Sequence, residues 1–521
     1  MKYFLVLFLI SPLIYGRGGA RPRPKPKSIS KPKPRPAANC IQTFEHSNYR
    51  GKRWDFFCGK RTHRWNDKIS SLKIPKNKIV RICEHSRGRG YCQDFVGNIR
   101  NLGRRMNNKG SWLVVRSYNP SQCIFAYTDS GYRGESFPFC PGRTKPIFRN
   151  WNDKISSIKI PHGHKVKVCK HVASSQGRPP CRSYFKNVAN LGDFFNDQIS
   201  YVKWGRFNFD DYSMIFASDP QVYWACATRE CKDRASGEKN QGSLSNSWHY
   251  QSMQKLANSI GASKFAGAIF NGDLTAFGHK EEYDKYIDYY ENKSTFNLWP
   301  GLGNHDYANN INDCSFNNCA MRMVNYLKDR VKSLNVNRFD YYEGKTHYKF
   351  PNLRKYHTGS LAYSFTIGKY HFIQLNNYPS YETSFNGWNF SKARRDYVQI
   401  RKSFDWLKYD LYRAKKAGKK IIINMHDTRQ HFKSSDRSTF YNILKDYPVV
   451  AIFAGHIHQH YFYTYSEYAG TKKIPVFRSG SAQYNKYLRV NFRKDRIEVY
   501  TIDSVLGRTD VMKGPYVIDV D

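Results

Sequence analysis

The sequence predicts a multidomain chain with an all-β front half and an α/β back half. Three observations carry this reading. A segment beginning "CIQTFEHSNYRGKRWDFFC" at Cys40 recurs as "CIFAYTDSGYRGESFPFC" at Cys123, each followed by "NDKISS" and a short alternating strand. From about residue 211, apolar runs alternate with stretches of helical spacing. Five of the later segments end in side chains able to hold a metal. At 521 residues the chain is also too long for one core.

The first residues, MKYFLVLFLISPLIYG, place one Lys before a short apolar run. They read as a secretory signal peptide over 1–20, cleaved between Gly16 and Ala20, with an uncleaved anchor as the alternative. No later run is apolar enough to span a bilayer. Residues 21–39 alternate Pro with Lys or Arg and read as an extended basic linker. The net charge of +44 favours anionic polymers or surfaces as partners, with a plainly solvated basic surface as the other reading. No nucleic-acid-binding motif accompanies the charge.

The twelve cysteines fall into close neighbours: 40 and 58, 83 and 92, 123 and 140, 169 and 181, 226 and 231, 314 and 319. In a secreted chain an even count predicts disulfides, here paired in that order. Zinc is the rival reading, against which stand irregular spacings and the lack of any CxxC.

The repeat divides into 40–117 and 121–206. Each copy is itself doubled, since "NNKGSW" at 107 and "NDQISY" at 196 echo "NDKISS". Phe44-x4-Tyr49-x-Gly51 and Tyr127-x4-Tyr132-x-Gly134 resemble the aromatic-glycine corner of βγ-crystallin Greek keys, and "NDKISS" at 66–71 and 152–157 resembles that family's calcium signature. The resemblance implies two βγ-crystallin-like domains of two Greek keys each. It further implies Ca²⁺ near Asp67, Ser70, Asn108 and Ser111 in the first domain, and near Asp153, Ser156, Asp197 and Ser200 in the second. Hard oxygen ligands suit that ion. Trp112 and Tyr201 replace the final Ser of the signature, which puts two of the four sites in question. The alternative is that these residues only cap tight turns.

In the back half the expected strands are YSMIFAS, FAGAIFN, LAYSFTI, YHFIQLN, KKIIINM, PVVAIFA and IPVFRS. The expected helices are 245–262 and 393–418. Asp219-Pro-Gln221 follows the first strand and Gly272-Asp273 the second. Gly303-Asn304-His305-Asp306, His426-Asp427 and Gly455-His456-Ile457-His458 follow later apolar segments. Ligands gather at strand carboxyl ends in α/β sheets, and glycine lets backbone crowd a centre.

This ordered set resembles the calcineurin-like metallophosphoesterases and covers a domain placed at 211–512. The resemblance implies a β-sandwich flanked by helices that hydrolyses phosphate monoesters or diesters. It implies two divalent ions, Mn, Fe or Zn, about 4 Å apart, that share an attacking hydroxide. One ion would take Asp219, Gln221, Asp273 and His458; the other would take Asp273, Asn304, His426 and His456. His305 would be the general acid, with Asp306 orienting its imidazole or serving only as a turn carboxylate. Gln221 departs from the His common at this place and implies a weaker amide donor at the first metal. Ala276 stands where purple acid phosphatases carry a ligand Tyr, so an iron–tyrosinate centre is not expected. The insertion 307–360 is the candidate for substrate selection, with a plain surface excursion as the other reading, and Tyr307 beside the motif is a candidate substrate contact.

The function read from these features is a secreted dinuclear-metal phosphoesterase carrying crystallin-like modules for binding or stability. The alternative is a catalytically weak surface-binding or inhibitory protein on the same scaffold.

Overall fold

The computed structural model describes residues 40–56, 65–140, 151–170, 181–344, 354–389, 392–465 and 473–520. The signal peptide and basic linker expected over 1–39, and Cys58, lie outside these residues.

The front half is all-β, as its alternation predicts. Four three-stranded antiparallel sheets follow one another. They centre on the strands Ile41–His46, Lys78–His85, Ile124–Asp129 and His164–Cys169. The sheets associate in pairs, and single bridges Leu72–Ile99 and Ile158–Val188 stitch the members of each pair. One core gathers Ile41, Ile69, Leu72, Val80, Ile82 and Met106. A second gathers Ile124, Phe137, Ile155, Ile158, Val166 and Phe195. The repeat is visible in conformation as well as in sequence. Phe44 meets Tyr49 edge-on at 5.6 Å, and Tyr127 meets Tyr132 edge-on at 5.8 Å. Gly51 and Gly134 both take φ of +76°, and a Cβ at Gly134 would lie 2.2 Å from Thr128 Oγ1. Only glycine fits such a corner.

The back half is a sandwich of two sheets. One has six strands in the order Asn297–Gly301, Phe265–Asn271, Tyr212–Ala217, Lys486–Phe492, Arg496–Asp503, Asp510–Asp519. The other has seven, with Tyr370–Gln374, Lys420–Asn424, Val449–Ala454 and Ile474–Ser479 parallel at its centre. The central strands are apolar on both faces because both faces are covered. Between the sheets, Phe216 stacks on Phe453 at 4.0 Å and Trp299 on Phe365 at 4.4 Å. The helix Glu238–Ile260 adjoins the first sheet through Met253, Leu256 and Ala257. The helices Phe404–Lys416 and Ser434–Leu444 cover the second through Leu407, Leu411, Phe440 and Leu444.

Two expected elements differ. The helix expected from 245 begins at Glu238. The segment 393–418 is not one helix: Arg394–Ile400 is a strand paired to Thr383–Asn389 and Arg354–Gly359, and the helix starts at Phe404. Asp396, Val398 and Ile400 face inward in alternation, a period-two pattern that a longer helical window averages away.

The insertion after residue 307 forms the helix Asn318–Lys332, whose apolar face joins the main core. Its end meets the front half. Tyr184 Oη donates to the Ser333 carbonyl at 3.1 Å, and Asn297 exchanges two hydrogen bonds with the Ser183 backbone at 2.7 Å each. These described residues therefore seat the second β module on the sandwich.

Among the described residues, five disulfides join neighbours in the expected order: Cys83–Cys92, Cys123–Cys140, Cys169–Cys181, Cys226–Cys231 and Cys314–Cys319. Among the described residues, no helix is long and apolar enough to cross a membrane.

Candidate metal centre

Parallel strands from both sheets end at one edge, and their following loops converge there. Asp219 and Gln221 follow Tyr212–Ala217, Asp273 follows Phe265–Asn271, and Asn304 follows Asn297–Gly301. His426 follows Lys420–Asn424, and His456 and His458 follow Val449–Ala454. Of these seven residues, all but His456 and His458 are almost wholly buried.

The backbone is unusual at this edge. Asp219, Gln221, Asp273, His456 and His458 have φ of +49°, +33°, +49°, +74° and +62°. Non-glycine residues avoid that region, and such conformations concentrate at functional sites. The adjacent glycines make the crowding possible. A Cβ at Gly303 would lie 2.2 Å from Asp273 Oδ1, and one at Gly272 would lie 2.6 Å from His426 Nδ1. At Gly455 it would lie 2.7 Å from Asp219 Oδ2.

Each imidazole is held by one nitrogen and presents the other inward. His426 Nδ1 donates to the Asn271 carbonyl at 2.8 Å. Its Nε2 then lies 2.9 Å from Asn304 Oδ1, 3.1 Å from Asp273 Oδ2 and 3.2 Å from His456 Nδ1. His456 Nε2 donates to Gln430 Oε1 at 3.0 Å. His458 Nδ1 donates to Gln483 Oε1 at 2.7 Å, and its Nε2 faces Asp219 Oδ1 at 3.5 Å. Asp219 also accepts the His456 backbone N–H at 3.0 Å. Such outer hydrogen bonds fix the tautomer and aim the remaining lone pair.

The electrostatics call for positive charge. Burial disfavours the charged form of His426, yet the Asp273 and Asp219 carboxylates beside it hold its pKa up to about 10. Burial pushes the Asp219 carboxyl up and, with His426 near, pulls the His456 imidazole down to about 4. Gln221 supplies the clearest test of fit. Its Nε2 lies 3.5 Å from Asp273 Oδ2, while its buried Oε1 has no hydrogen-bond partner among the described residues. An orphaned amide oxygen beside two buried carboxylates is costly unless a cation meets it. The donor set of carboxylates, amide oxygens and imidazoles fits divalent transition ions.

His305 stands at the rim, half-buried. Its Nδ1 donates to the Ala276 carbonyl at 2.7 Å, and its backbone N–H donates to Asp273 Oδ1 at 2.9 Å. The expected orienting role of Asp306 is corrected here. Its carboxylate is fully buried and accepts from the backbone N–H groups of Gly303, Leu274 and Thr275 and from Thr275 Oγ1. It ties the two loops together, and the Ala276 carbonyl orients the imidazole instead. Tyr307 is also corrected as a substrate contact, since it is 1% exposed with its ring against Tyr381.

Three neighbours of the site escaped sequence reading. Gln483 lies in the "RSGSAQY" segment, Gln430 lies four residues after His426, and Trp224 lies three after Gln221. Trp224 meets His305 at 5.2 Å and His458 at 6.1 Å. A Trp three residues after a metal-competent motif, in the loop that follows a strand, was the available signal.

Residues 212–460 match the family model described as calcineurin-like phosphoesterase. The C-terminal half carries a calcineurin-like phosphoesterase domain. The domain makes the chain a metal-dependent phosphoesterase, with divalent ions as its cofactors and a phosphate ester as its substrate. Among solved structures, a dimetal phosphatase from Danio rerio is similar at 11% identity and a TM-score of 0.34, over 60% of this chain and 99% of that one. The N-terminal domain of protein S is similar at 27% identity and 0.14, over 15% and 96%. A βγ-crystallin domain from Clostridium beijerinckii is similar at 24% and 0.14, over 16% and 95%. No curated protein matches this chain.

The front half brings its expected calcium residues together in crossed pairs. Ser70 Oγ donates to Asn108 Oδ1 at 2.9 Å and Ser111 Oγ to Asp67 Oδ1 at 3.0 Å. Ser156 Oγ donates to Asp197 Oδ1 at 3.0 Å and Ser200 Oγ to Asp153 Oδ1 at 3.2 Å. The four Asn or Asp residues share φ between +52° and +56°. The final Ser of the first-half motifs does something else. Ser71 Oγ and Ser157 Oγ accept the corner N–H groups of Tyr49 and Tyr132 and donate to the carbonyls of His46 and Asp129. Trp112 and Tyr201 therefore replace a corner fastener and leave the crossed pairs intact.

Proposed function

We propose that this chain is an extracytoplasmic hydrolase of phosphate monoesters or diesters, with two divalent ions held by Asp219, Gln221, Asp273, Asn304, His426, His456 and His458. The single observation that supports this most is the convergence of three oriented imidazoles, two buried carboxylates and the orphaned Gln221 amide oxygen. Ions bound there supply charge neutralisation for a phosphoryl group and lower the pKa of a nearby water. Asp273 sits between the two ligand sets, close to Gln221 on one side and His426 on the other. Mn²⁺ and Fe fit the mixed oxygen and nitrogen donors, and Zn²⁺ fits the imidazoles.

His305 acts on the leaving oxygen. With Nδ1 donating to the Ala276 carbonyl, Nε2 is the atom that carries the proton to the departing alkoxide. Asp306 keeps the loop bearing His305 in register with the loop bearing Asp273.

The five disulfides among the described residues fit an oxidising compartment and hence secretion. The crystallin-like modules serve binding or stability, with Ca²⁺ at the crossed Asp, Asn and Ser pairs. The deciding experiment is a metal-by-substrate matrix on the full chain. Mn²⁺-reconstituted protein should hold about two ions per chain and hydrolyse an aryl mono- or diester in an EDTA-sensitive way. Absence of both metal and turnover would leave the catalytically weak binding protein as the reading.

A further inference from the structure

Beside His305 the loops after Tyr212–Ala217 and Phe265–Asn271 put up an aromatic wall. Trp224 and Phe277 each meet His305 edge-on, at 5.2 and 5.1 Å, and lie 6.3 Å from one another. Both rings are half-buried. Together with Tyr223 they line a cleft of about 650 Å³. The wall is held firmly. The Trp224 N–H donates to the Gln221 carbonyl at 2.8 Å, and the Phe277 N–H donates to Glu282 Oε2 at 2.7 Å. A parallel bridge between Val222 and Thr275 joins the two loops. Apolar rings fastened beside the proton-bearing group of a polar site are suited to receive a ring, since stacked aromatic faces gain both burial and dispersion.

The charges of the cleft narrow the ligand. Glu238, Glu281 and Glu282 line it with Lys239, Lys280 and His279, and the His279 Nδ1 lies 3.1 Å from Glu282 Oε1. Lys239 pairs with Glu281 at 2.9 Å, and Lys280 pairs with Asp284. In a chain of net charge +44, this cleft carries more carboxylates than ammonium groups. With its carboxylates mostly paired and no excess of cations, it offers a neutral ring a better seat than a second phosphate or a polynucleotide.

We propose that Trp224 and Phe277 form the seat of the leaving group, so that the enzyme selects phosphate esters whose alcohol carries a planar aromatic ring and no further phosphate. This rests on the phosphoesterase reading above and adds the substrate class to it. The ring is that of a nucleobase or of a simple aryl group, and matched pairs of esters separate the two. Adenosine 5′-monophosphate and ribose 5-phosphate share a primary alkoxide leaving group and differ by the base. Phenylethyl phosphate and hexyl phosphate differ by an aryl ring.

With the Mn²⁺-loaded full chain, the aromatic member should lead its partner by roughly 10-fold in kcat/KM, the size of one base–aromatic stacking contact. The lead should shrink toward parity in Trp224→Ala and in Phe277→Ala and persist in Trp224→Phe. A lead confined to one pair names the ring. Parity in the wild type, or a lead undiminished in both alanine variants, overturns the seat. Faster turnover of adenosine diphosphate than of the monophosphate overturns the exclusion of a second phosphate. If no ester is hydrolysed, the failure belongs to the phosphoesterase reading. The seat is then judged on binding, where calorimetry must show the same 10-fold preference for the nucleotide over ribose 5-phosphate, lost in Trp224→Ala.

Discussion

His458 donates its Nδ1–H to the side-chain carbonyl of Gln483 at 2.7 Å, and Gln483 in turn donates to the Ala225 carbonyl at 2.9 Å. The imidazole is thus locked with Nε2 toward Asp219, by a residue twenty-five positions away in sequence. Gln483→Ala should lower affinity for the first metal by roughly 10- to 100-fold, the usual cost of losing such a partner. Metal titration of the apo-protein reads this directly, and Gln483→Glu, which still accepts, should recover most of it. An unchanged affinity in the alanine variant would show that His458 needs no orientation.

His305 and Asp306 are adjacent and should fail differently. His305→Ala should lower kcat by roughly 10²- to 10⁴-fold on alkyl esters, which need a proton at the leaving oxygen, and far less on a nitrophenyl ester. Asp306→Ala strips the acceptor from four donors and should lower the melting temperature. Equal leaving-group dependence in both variants would return Asp306 to a direct role.

Gly303→Ala should empty the site without unfolding the domain. The new Cβ would meet Asp273 Oδ1 at 2.2 Å and the Asp273 backbone nitrogen at 2.5 Å, and backbone cannot yield as a flexible side chain can. Metal content by elemental analysis and circular dichroism together check it. Full metal with full activity would show that the loop relaxes freely.

Gln221→His should keep metal bound while shifting preference from Mn²⁺ toward Zn²⁺, because imidazole is a softer donor than an amide oxygen. Competition between the two ions in the full chain measures the shift. A variant with identical preference would reduce Gln221 to a turn residue.

His249 is buried in the helix Glu238–Ile260, between Tyr290 Oη and the Lys486 carbonyl. Burial pulls its pKa down to about 4. The unfolded chain, with an ordinary value of about 6.5, takes up the proton first. Its contribution to stability is therefore whole above pH 6.5, falls as the pH drops toward 4, and is flat below. The loss amounts to about 3 kcal/mol. Urea unfolding from pH 7 to 4.5 should show a shallower fall in His249→Gln than in the wild type. Parallel curves would exclude the imidazole as the source.

Much of the candidate site was legible because its proposed ligands are short-range in kind. Each of Asp219, Asp273, Asn304, His426 and His456 sits within a few residues of a strand end, and an apolar run followed by Gly and a polar side chain is readable in one dimension. The grouping of Asp67, Ser70, Asn108 and Ser111 was legible through the βγ-crystallin resemblance of the repeat, whereas their crossed pairing was not, because Asp67 and Ser111 lie forty-four residues apart. The helix boundary at Phe404 was not. Arg394–Ile400 is a strand only because Thr383–Asn389 and Arg354–Gly359 lie beside it, and pairing partners are not encoded locally.

The sequence alone thus determined the two-part architecture, the residue types gathered at the candidate site and the glycines that make room for them, since periodicity and short motifs are properties of neighbours along the chain. Tertiary structure decided which atom faces which. It assigned the orientation of His305 to the Ala276 carbonyl, the burial of Asp306 to a loop junction, the aim of His458 to Gln483, and the aromatic wall to Trp224 and Phe277. Each is a contact between segments brought together by sheet topology, and the angle and nitrogen of a side chain are settled only when the far partner arrives.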